Sequence, residues 1–143
     1  MELDNLSRIK QDDKWIFCDE RGNNVLNQGF YYIDSFINRK ARLRRGTRRW
    51  NIINSDGSFF FKNDARQISP ESDGFFAVLF KNRKSNYLKV SDWSFLLKEN
   101  CEMCFSFREG MGRIFDSDGS TNYVNVYGEK ILKNGCYFGK DFS

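Results

Sequence analysis

Apolar residues in this chain form short clusters, separated by polar stretches that are rich in Asn, Asp and Gly. The clusters "ARL" (41–43), "FAV" (76–78) and "GRI" (112–114) each precede a polar loop and then a second apolar cluster. Short apolar runs bounded by turn-forming residues are typical of β-strands. Fifteen Phe and six Tyr among 143 residues also favour strands, because aromatic side chains pack well on a pleated surface. The pattern predicts an all-β protein.

The pattern recurs at a spacing of 35 or 36 residues, which is typical of a repeat protein. Trp15 corresponds to Trp50 and Gly22 to Gly57 at a spacing of 35. The second apolar clusters of the four copies are "FCD" (17–19), "IIN" (52–54), "YLK" (87–89) and "YVN" (123–125). We therefore predict four repeats, at approximately residues 1–36, 37–71, 72–107 and 108–143.

Each repeat is predicted to be a unit of three antiparallel strands. A loop joins the first two, and a tight turn leads to a third strand at "VL" (25–26), "FF" (60–61), "FL" (95–96) or "IL" (131–132). Gly22 and Gly57 end this turn, where a hairpin needs a positive φ, whereas Asp92 has that place in repeat three, so a different turn is expected there. The remaining segments, such as 27–36, are expected to be irregular. Such units must stack to bury their apolar faces, so we expect one domain, 1–143, as an open solenoid or a small propeller.

The repeats resemble the WG (KWG) repeat family of bacterial tandem β-repeat proteins. The segment "KWIFCD" (14–19) with Gly22 resembles the first half of the family's unit, and "FREGMGRI" (107–114) resembles the second half. Four residues depart from the family's Trp-Gly pair: Ile16, Asn51, Ser85 and Thr121. The resemblance implies a β-repeat binding scaffold without catalytic residues, from a bacterium. The small size of the chain also suits a protein of phage origin.

Positive charge is concentrated in one stretch of the chain. Residues 39–49 contain seven Arg and Lys residues, while the net charge of the whole chain is +4, so the remainder is net negative. Residues 44–49 are expected to form the loop between the first two strands of repeat two. The corresponding loop of repeat three, "KNRKSN" (81–86), is also basic, and that of repeat four, "DSDGST" (116–121), is acidic. Localised charge of this kind steers encounters with a charged partner.

We therefore predict a basic rim that binds a partner, because stacked repeats place equivalent loops side by side. Arg42 should point to solvent, since it alternates with the apolar Ala41 and Leu43. Trp93 has no counterpart in the other turns and is the candidate apolar anchor, with packing against its own turn as the alternative. The predicted partner-binding residues are Arg42, Arg44, Arg45, Arg48, Arg49, Lys81, Arg83, Lys84 and Trp93.

The expected function is that of a non-enzymatic protein-binding module, an adaptor or an inhibitor, whose partner has an acidic surface. Nucleic-acid binding is one alternative, although such modules usually carry a basic face over the whole domain. A structural segment of a longer repeat array is another. The basic rim also has a simpler interpretation as a solvated hairpin tip that protects a β-rich surface from aggregation. No pattern in the sequence fixes the oligomeric state.

No catalytic, metal or cofactor site is predicted. The chain has no histidine, which removes the usual general base and His-containing zinc sites. Cys101 and Cys104 have the spacing of half a zinc site or a redox pair, but Cys18, a necessary further ligand, lies at an apolar repeat position. The carboxylate pairs at 12–13 and 116–118 lie in polar loops, where nothing raises a pKa into a catalytic range.

No apolar run approaches the ~20 residues that span a bilayer. The first residues, "MELDNLSRIKQDDKW", lack the apolar region of a signal peptide. We therefore expect a cytoplasmic protein without a membrane partner, in which the four cysteines are reduced.

Overall fold

The computed structural model describes residues 2–132 and 136–137, and within them the chain is all-β apart from a short 3-10 helix at Leu3–Asn5. The strands are β1 (Ser7–Gln11), β2 (Lys14–Cys18), β3 (Tyr32–Ile33), β4 (Lys40–Gly46), β5 (Arg49–Asn54), β6 (Gln67–Ile68), β7 (Phe75–Leu79), β8 (Ser85–Lys89), β9 (Met103–Cys104), β10 (Gly112–Phe115), β11 (Ser120–Val124) and β12 (Cys136–Tyr137). The predicted all-β class is confirmed. None of the described residues belongs to a helix long and apolar enough to cross a membrane.

The described strands form four antiparallel sheets: β1-β2, β3-β4-β5, β6-β7-β8 and β9-β10-β11-β12. Each sheet is built on one hairpin, formed by β1-β2, β4-β5, β7-β8 or β10-β11. The second strands of these hairpins begin at Lys14, Arg49, Ser85 and Ser120, about 35 residues apart. The prediction of four three-stranded units is wrong in detail, because the first described sheet has two strands and the last has four.

In three of the described sheets, the hairpin pairs with a strand from a segment that was not predicted to be a strand. The expected third strands do not form. Isolated bridges to the second strand are made instead by residues in or beside the turns, at 24, 59, 95 and 130. The pairing comes from the segments expected to be irregular: Tyr32 lies opposite Arg44 in β4, and Cys104 lies opposite Ile114 in β10. We name β3, β6 and β9 the linking strands, because each lies between one hairpin and the next in the chain.

The turns after the second strands follow the glycine prediction. Left-handed φ values are found at Gly22 (+82°), Gly57 (+93°) and Gly128 (+81°). The turn of repeat three differs, as expected. Its closing hydrogen bond runs from the Lys89 N–H to the Ser94 carbonyl, which makes it one residue longer than the turn at 54–58. Trp93, not Asp92, has the left-handed conformation there, with φ +60°. Asp92 instead accepts hydrogen bonds from the backbone and hydroxyl of Ser94.

The chain divides into two compact units, residues 1–67 and 68–143. The core of the first unit contains Leu3, Phe17, Phe30, Ala41, Leu43 and Ile53. The core of the second contains Phe75, Tyr87, Leu97, Cys101, Cys104, Phe107, Ile114 and Val124. The equivalent second-strand residues Cys18, Ile53, Leu88 and Val124 are all buried, as the repeat predicts.

Candidate functional site

The hairpin of β4 and β5 contains most of the basic stretch. Arg44 and Arg45 belong to β4 and Arg49 belongs to β5, which leaves only Thr47 and Arg48 between the strands. The strand register shifts at Arg45, which makes it a bulge residue. The prediction of a loop over all these arginines is therefore wrong, because backbone pairing continues beyond the apolar part of the strands.

Arg42 points inward, and the prediction that it faces solvent is wrong. It is 5% exposed, and its Nε donates a hydrogen bond of 2.6 Å to Asp34 Oδ2. Its guanidinium carbon lies 4.6 Å from the centroid of the Trp50 ring and 5.2 Å from that of Tyr32. The alternation of apolar and polar residues along β4 does not predict the exposure of Arg42, because the Tyr32 ring of β3 and the Trp50 ring of β5 cover the face that was expected to be open. A guanidinium matched by a carboxylate and two ring faces is satisfied inside the unit.

Asp64 binds two more of the predicted contact residues. Its carboxylate accepts hydrogen bonds from Asn51 Nδ2 at 2.9 Å, Arg49 Nε at 3.0 Å and Arg45 Nη1 at 3.2 Å. Burial acts to raise the pKa of Asp64, but the hydrogen bonds from Asn51 and Arg45 outweigh it and lower the pKa below its usual value. Arg45 also lies 4.2 Å from the centroid of the Phe59 ring. Arg45 and Arg49 are therefore engaged within the first unit.

Two tyrosines lie exposed beside other cations of the first unit. Tyr31 and Tyr32 are 48% and 43% exposed. The Lys14 ammonium lies 5.1 Å and the Arg44 guanidinium 5.7 Å from the Tyr31 ring centroid, and the Tyr32 ring lies 6.1 Å from that of Trp50. Strand pairing fixes both tyrosines, because the Tyr31 N–H donates to the Arg44 carbonyl at 2.9 Å and Tyr32 lies opposite Arg44. We name this surface (Lys14, Tyr31, Tyr32, Arg44 and Trp50) the tyrosine–arginine face.

The hairpin tips carry the remaining predicted basic residues. Arg48 is exposed between β4 and β5, and Lys81 and Arg83 are exposed between β7 and β8. Lys84 forms an ion pair with Glu102. Arg48 belongs to the first unit and the other three to the second, so a single rim made from both loops stays a prediction.

Trp93 packs on its own hairpin. Its ring stacks on Phe76 of β7, with centroids 5.9 Å apart and an interplanar angle of 20°. Phe76 is buried and Trp93 is half-buried. Of the two interpretations of Trp93, the stacking supports packing against its own hairpin over an exposed anchor, because the longer turn returns the indole onto the strand that precedes it.

The second unit contains an open groove of about 710 Å³. Its lining includes Leu96, Lys98, Glu99, Asp116, Asp118, Tyr127 and Lys130. The predicted acidic loop of repeat four supplies Asp116 and Asp118, but Lys130 binds Asp116 at 2.9 Å and the Ser120 backbone and hydroxyl donate to Asp118. The acidic and basic side chains of the groove are mixed, so it has no dominant charge for a ligand to match.

The described cysteines are buried free thiols: Cys18, Cys101 and Cys104. A hydrogen bond to Cys101 together with burial raises the pKa of the Cys104 thiol. Among residues 2–132, no group of three or more His, Cys, Asp or Glu side chains is arranged to hold a metal ion. The side chain of Cys136 lies outside the described part of the chain.

Three buried asparagines, which were not predicted, connect the second strands β5, β8 and β11 to the segments that return to them. Asn86 Nδ2 donates to the Leu97 carbonyl at 3.0 Å, and its Oδ1 accepts the N–H groups of Leu97 at 3.0 Å and Tyr87 at 2.7 Å. Asn51 and Asn122 make the same set of bonds in their own hairpins. We name this arrangement the asparagine staple. The available signal was an Asn at 51, 86 and 122, which is the repeat spacing.

No family model matches this chain, and no curated protein matches it. Among solved structures, the crystal structure of HIRA(644–1017) matches with 10% identity and a TM-score of 0.40, over 73% of this chain and 39% of that chain. The computationally designed Ika8 protein matches with 9% identity and a TM-score of 0.43, over 90% and 45%. The extracellular domain of the hybrid two component system BT3049 from B. thetaiotaomicron matches with 12% identity and a TM-score of 0.36, over 91% and 25%. This chain spans less than half of each of these chains, and similarity at this level carries no argument about function.

Proposed function

We propose that this protein is a non-enzymatic protein-binding module, an adaptor or an inhibitor, on a tandem β-repeat scaffold of the WG type. The tyrosine–arginine face binds an acidic segment of the partner. The observation that carries this proposal is the exposure of Tyr31 and Tyr32 beside Lys14 and Arg44. Tyr and Arg are enriched at protein interfaces, where rigid rings bury a large area at a low entropic cost.

The fixed geometry of the face supports the proposal. The Tyr32 hydroxyl donates a hydrogen bond to the Asp34 carboxylate, which raises the pKa of Tyr32. Asp34 is itself bound by Arg42, whose guanidinium lies against the Tyr32 and Trp50 rings. A surface that is already ordered loses little entropy on binding, so more of its contact energy becomes affinity.

Single-stranded nucleic acid is the second candidate ligand, because exposed tyrosines next to arginines also stack on bases. The charge balance of the basic stretch argues against it. Four of its seven cations form ion pairs with acidic residues of the same unit: Arg39 with Glu2, Arg42 with Asp34, and Arg45 and Arg49 with Asp64. Fewer charges then remain to replace counterions along a phosphate backbone.

A pull-down from lysate of the native host, with and without nuclease, tests the proposal. The wild type is compared with a variant carrying Tyr31→Ala, Tyr32→Ala and Arg44→Glu. A matched control carries Tyr127→Ala and Arg108→Glu, which change an exposed tyrosine and an exposed arginine of the second unit outside the predicted contact residues. We expect a protein that is lost only with the face variant and is insensitive to nuclease.

Two outcomes contradict the proposal. If the face variant retains the same proteins as the wild type, the face is not the binding surface. If the captured material disappears on nuclease treatment, the nucleic-acid candidate replaces the protein partner. Thermal melts of all three proteins exclude unfolding as the cause of a loss.

A further inference from the structure

Within the described residues, the first hairpin pairs with no linking strand, whereas the other three hairpins do. Among the described strands, β4, β7 and β10 are paired on their outer edges by β3, β6 and β9, whereas the sheet of β1 contains only β1 and β2. In β4, the carbonyls of Arg42 and Arg44 accept hydrogen bonds of 2.9 Å from the N–H groups of Asp34 and Tyr31. In β10, the carbonyl of Arg113 accepts the N–H of Phe105 at 3.0 Å. In these three hairpins, the outer edge of the first strand therefore binds another strand.

Strand register identifies the equivalent positions in β1. Arg8 lies opposite Phe17 and Lys10 opposite Trp15, as Arg44 lies opposite Trp50 in the second hairpin. The carbonyls of Phe17 and Trp15 accept hydrogen bonds from residues beyond β2, so these are non-hydrogen-bonded pairs of the hairpin. The N–H and C=O groups of Arg8 and Lys10 thus point away from β2, and no backbone N–H within 2–132 or 136–137 donates to their carbonyls.

The apolar side chain between these carbonyls is uncovered as well. Ile9 is 41% exposed, whereas its equivalents Leu43, Val78 and Ile114 are 0%, 1% and 0% exposed. Linking-strand residues lie opposite two of these equivalents: Ile33 faces Leu43 and Cys104 faces Ile114. Ile9 is therefore exposed at the place where a linking strand would contribute a side chain.

The charges beside this edge favour an acidic occupant. Lys10 is exposed on β1. The Arg8 guanidinium is held inside the unit by the Ile33 and Asp34 carbonyls and by the Phe17 and Phe36 rings, so Lys10 is the outward charge of this edge. The acidic residues of this hairpin, Asp12 and Asp13, lie in its turn, beyond the Arg8 and Lys10 carbonyls. In the second hairpin, the linking segment carries an aliphatic residue followed by an acidic one, Ile33-Asp34, and Asp34 binds the Arg42 side chain.

We propose that the edge of β1 (Ser7–Gln11) binds an extended acidic segment of a partner protein as an added antiparallel strand. The segment donates backbone N–H groups to the Arg8 and Lys10 carbonyls, covers Ile9 with an aliphatic side chain, and places a carboxylate near the exposed Lys10. Backbone pairing gives affinity in this mode, and the side chains give specificity. This site is separate from the tyrosine–arginine face and does not depend on it.

The test uses a synthetic peptide, FYYIDSF, which has the sequence of residues 30–36 and therefore of a natural linking segment. It is added to the isotope-labelled full chain, and amide shifts are followed by NMR while affinity is measured by fluorescence anisotropy. We expect shifts centred on Ser7–Gln11. Ile9→Lys should weaken binding about tenfold, because an apolar contact is replaced by a charged one, while Ile131→Lys, an equal change at another exposed isoleucine, should leave it unchanged.

Peptide variants test the two recognition elements separately. Methylation of the Asp backbone nitrogen removes a strand hydrogen bond and should abolish the shifts, and a peptide with Lys in place of Asp should bind more weakly. Absence of shifts at Ser7–Gln11, shifts confined to β4, or equal affinity of the Ile9→Lys variant would overturn the proposal. A dimer that forms without peptide and dissociates on Ile9→Lys would also overturn it, since a second copy would then fill the edge.

The Tyr31→Ala, Tyr32→Ala variant separates this inference from the proposed function. It should bind the peptide as the wild type does, while it loses the partner in the pull-down. Conversely, Ile9→Lys leaves every residue of the tyrosine–arginine face intact, so each of the two proposals can fail alone.

Discussion

Single residues decide which charges of the basic stretch remain outward. Asp64 is largely buried, yet it stays ionised because Asn51, Arg45 and Arg49 all donate to it. Asp34 in turn accepts a hydrogen bond from Arg42 and keeps that guanidinium inside the unit. A run of arginines can therefore be an internal ion-pair system in which few members face a partner.

Asp64→Asn should lower the free energy of unfolding at neutral pH by about 1–3 kcal/mol, since two guanidinium groups lose their carboxylate. The pKa of Asp64 is lowered in the folded state, so its stabilisation is fully present above the unfolded pKa, near 3.8, and is lost as the pH falls through the folded pKa. Urea unfolding from neutral pH down to about pH 2 measures this. The gap between wild type and variant should narrow with acidity, and a constant gap would contradict the ion-pair account.

At the scale of the elements, the asparagine staple sets how three of the four described hairpins hold the chain that follows them. A buried side-chain amide replaces a strand pairing that would otherwise need a third regular strand at residues 59–61 or 95–97. Its bonds span ten residues from Asn51 and eleven from Asn86. The difference matches the longer turn of repeat three, so the staple keeps the same geometry with a different loop length.

Asn86→Ala should destabilise the protein by about 2–4 kcal/mol, because it leaves the buried Leu97 carbonyl and the N–H groups of Leu97 and Tyr87 without their partner. Asn82→Ala is the matched control, since Asn82 is exposed and accepts one bond, from Lys84. Its cost should stay below about 1 kcal/mol. Urea denaturation of both variants checks the difference, and equal costs would show that the staple is dispensable.

For the whole molecule, net charge overstates the cationic surface. The chain carries +4 and has a pI near 8.9, but its densest cluster of cations is largely matched by Glu2, Asp34 and Asp64. A uniform basic face, as on typical nucleic-acid modules, is therefore not expected.

Binding to a fluorescent oligothymidylate should accordingly depend weakly on salt. With about three free cations on the tyrosine–arginine face and the nearby tip, the slope of log K against log salt should be about −2. Titrations at several salt concentrations measure it. A slope of about −4 or steeper would mean that many more cations contact phosphate, and would favour the nucleic-acid candidate.

The sequence predicted the class, the period and the glycine turns, because these depend on local patterns such as Gly22 and Gly57. It failed for Tyr32–Ile33, whose strand forms only by pairing with Arg44 and Leu43 of β4, twelve and ten residues later in the chain. Arg42 failed for a related reason: alternation tells which side a residue faces, but not which rings cover that side. Tyr31 and Tyr32 were overlooked as site residues because a tyrosine pair in an apparently irregular segment has no periodic signal.

The long turn of repeat three shows where this scaffold accepts extra length. The turn holds one more residue than its counterparts, yet β7 and β8 pair without a register shift from Phe75–Lys89 to Leu79–Ser85. The added length stays between Lys89 and Ser94, outside the pairing and the staple. This turn is therefore the natural insertion point for a grafted epitope or a reporter loop, which the hairpin would display without a change in its own pairing.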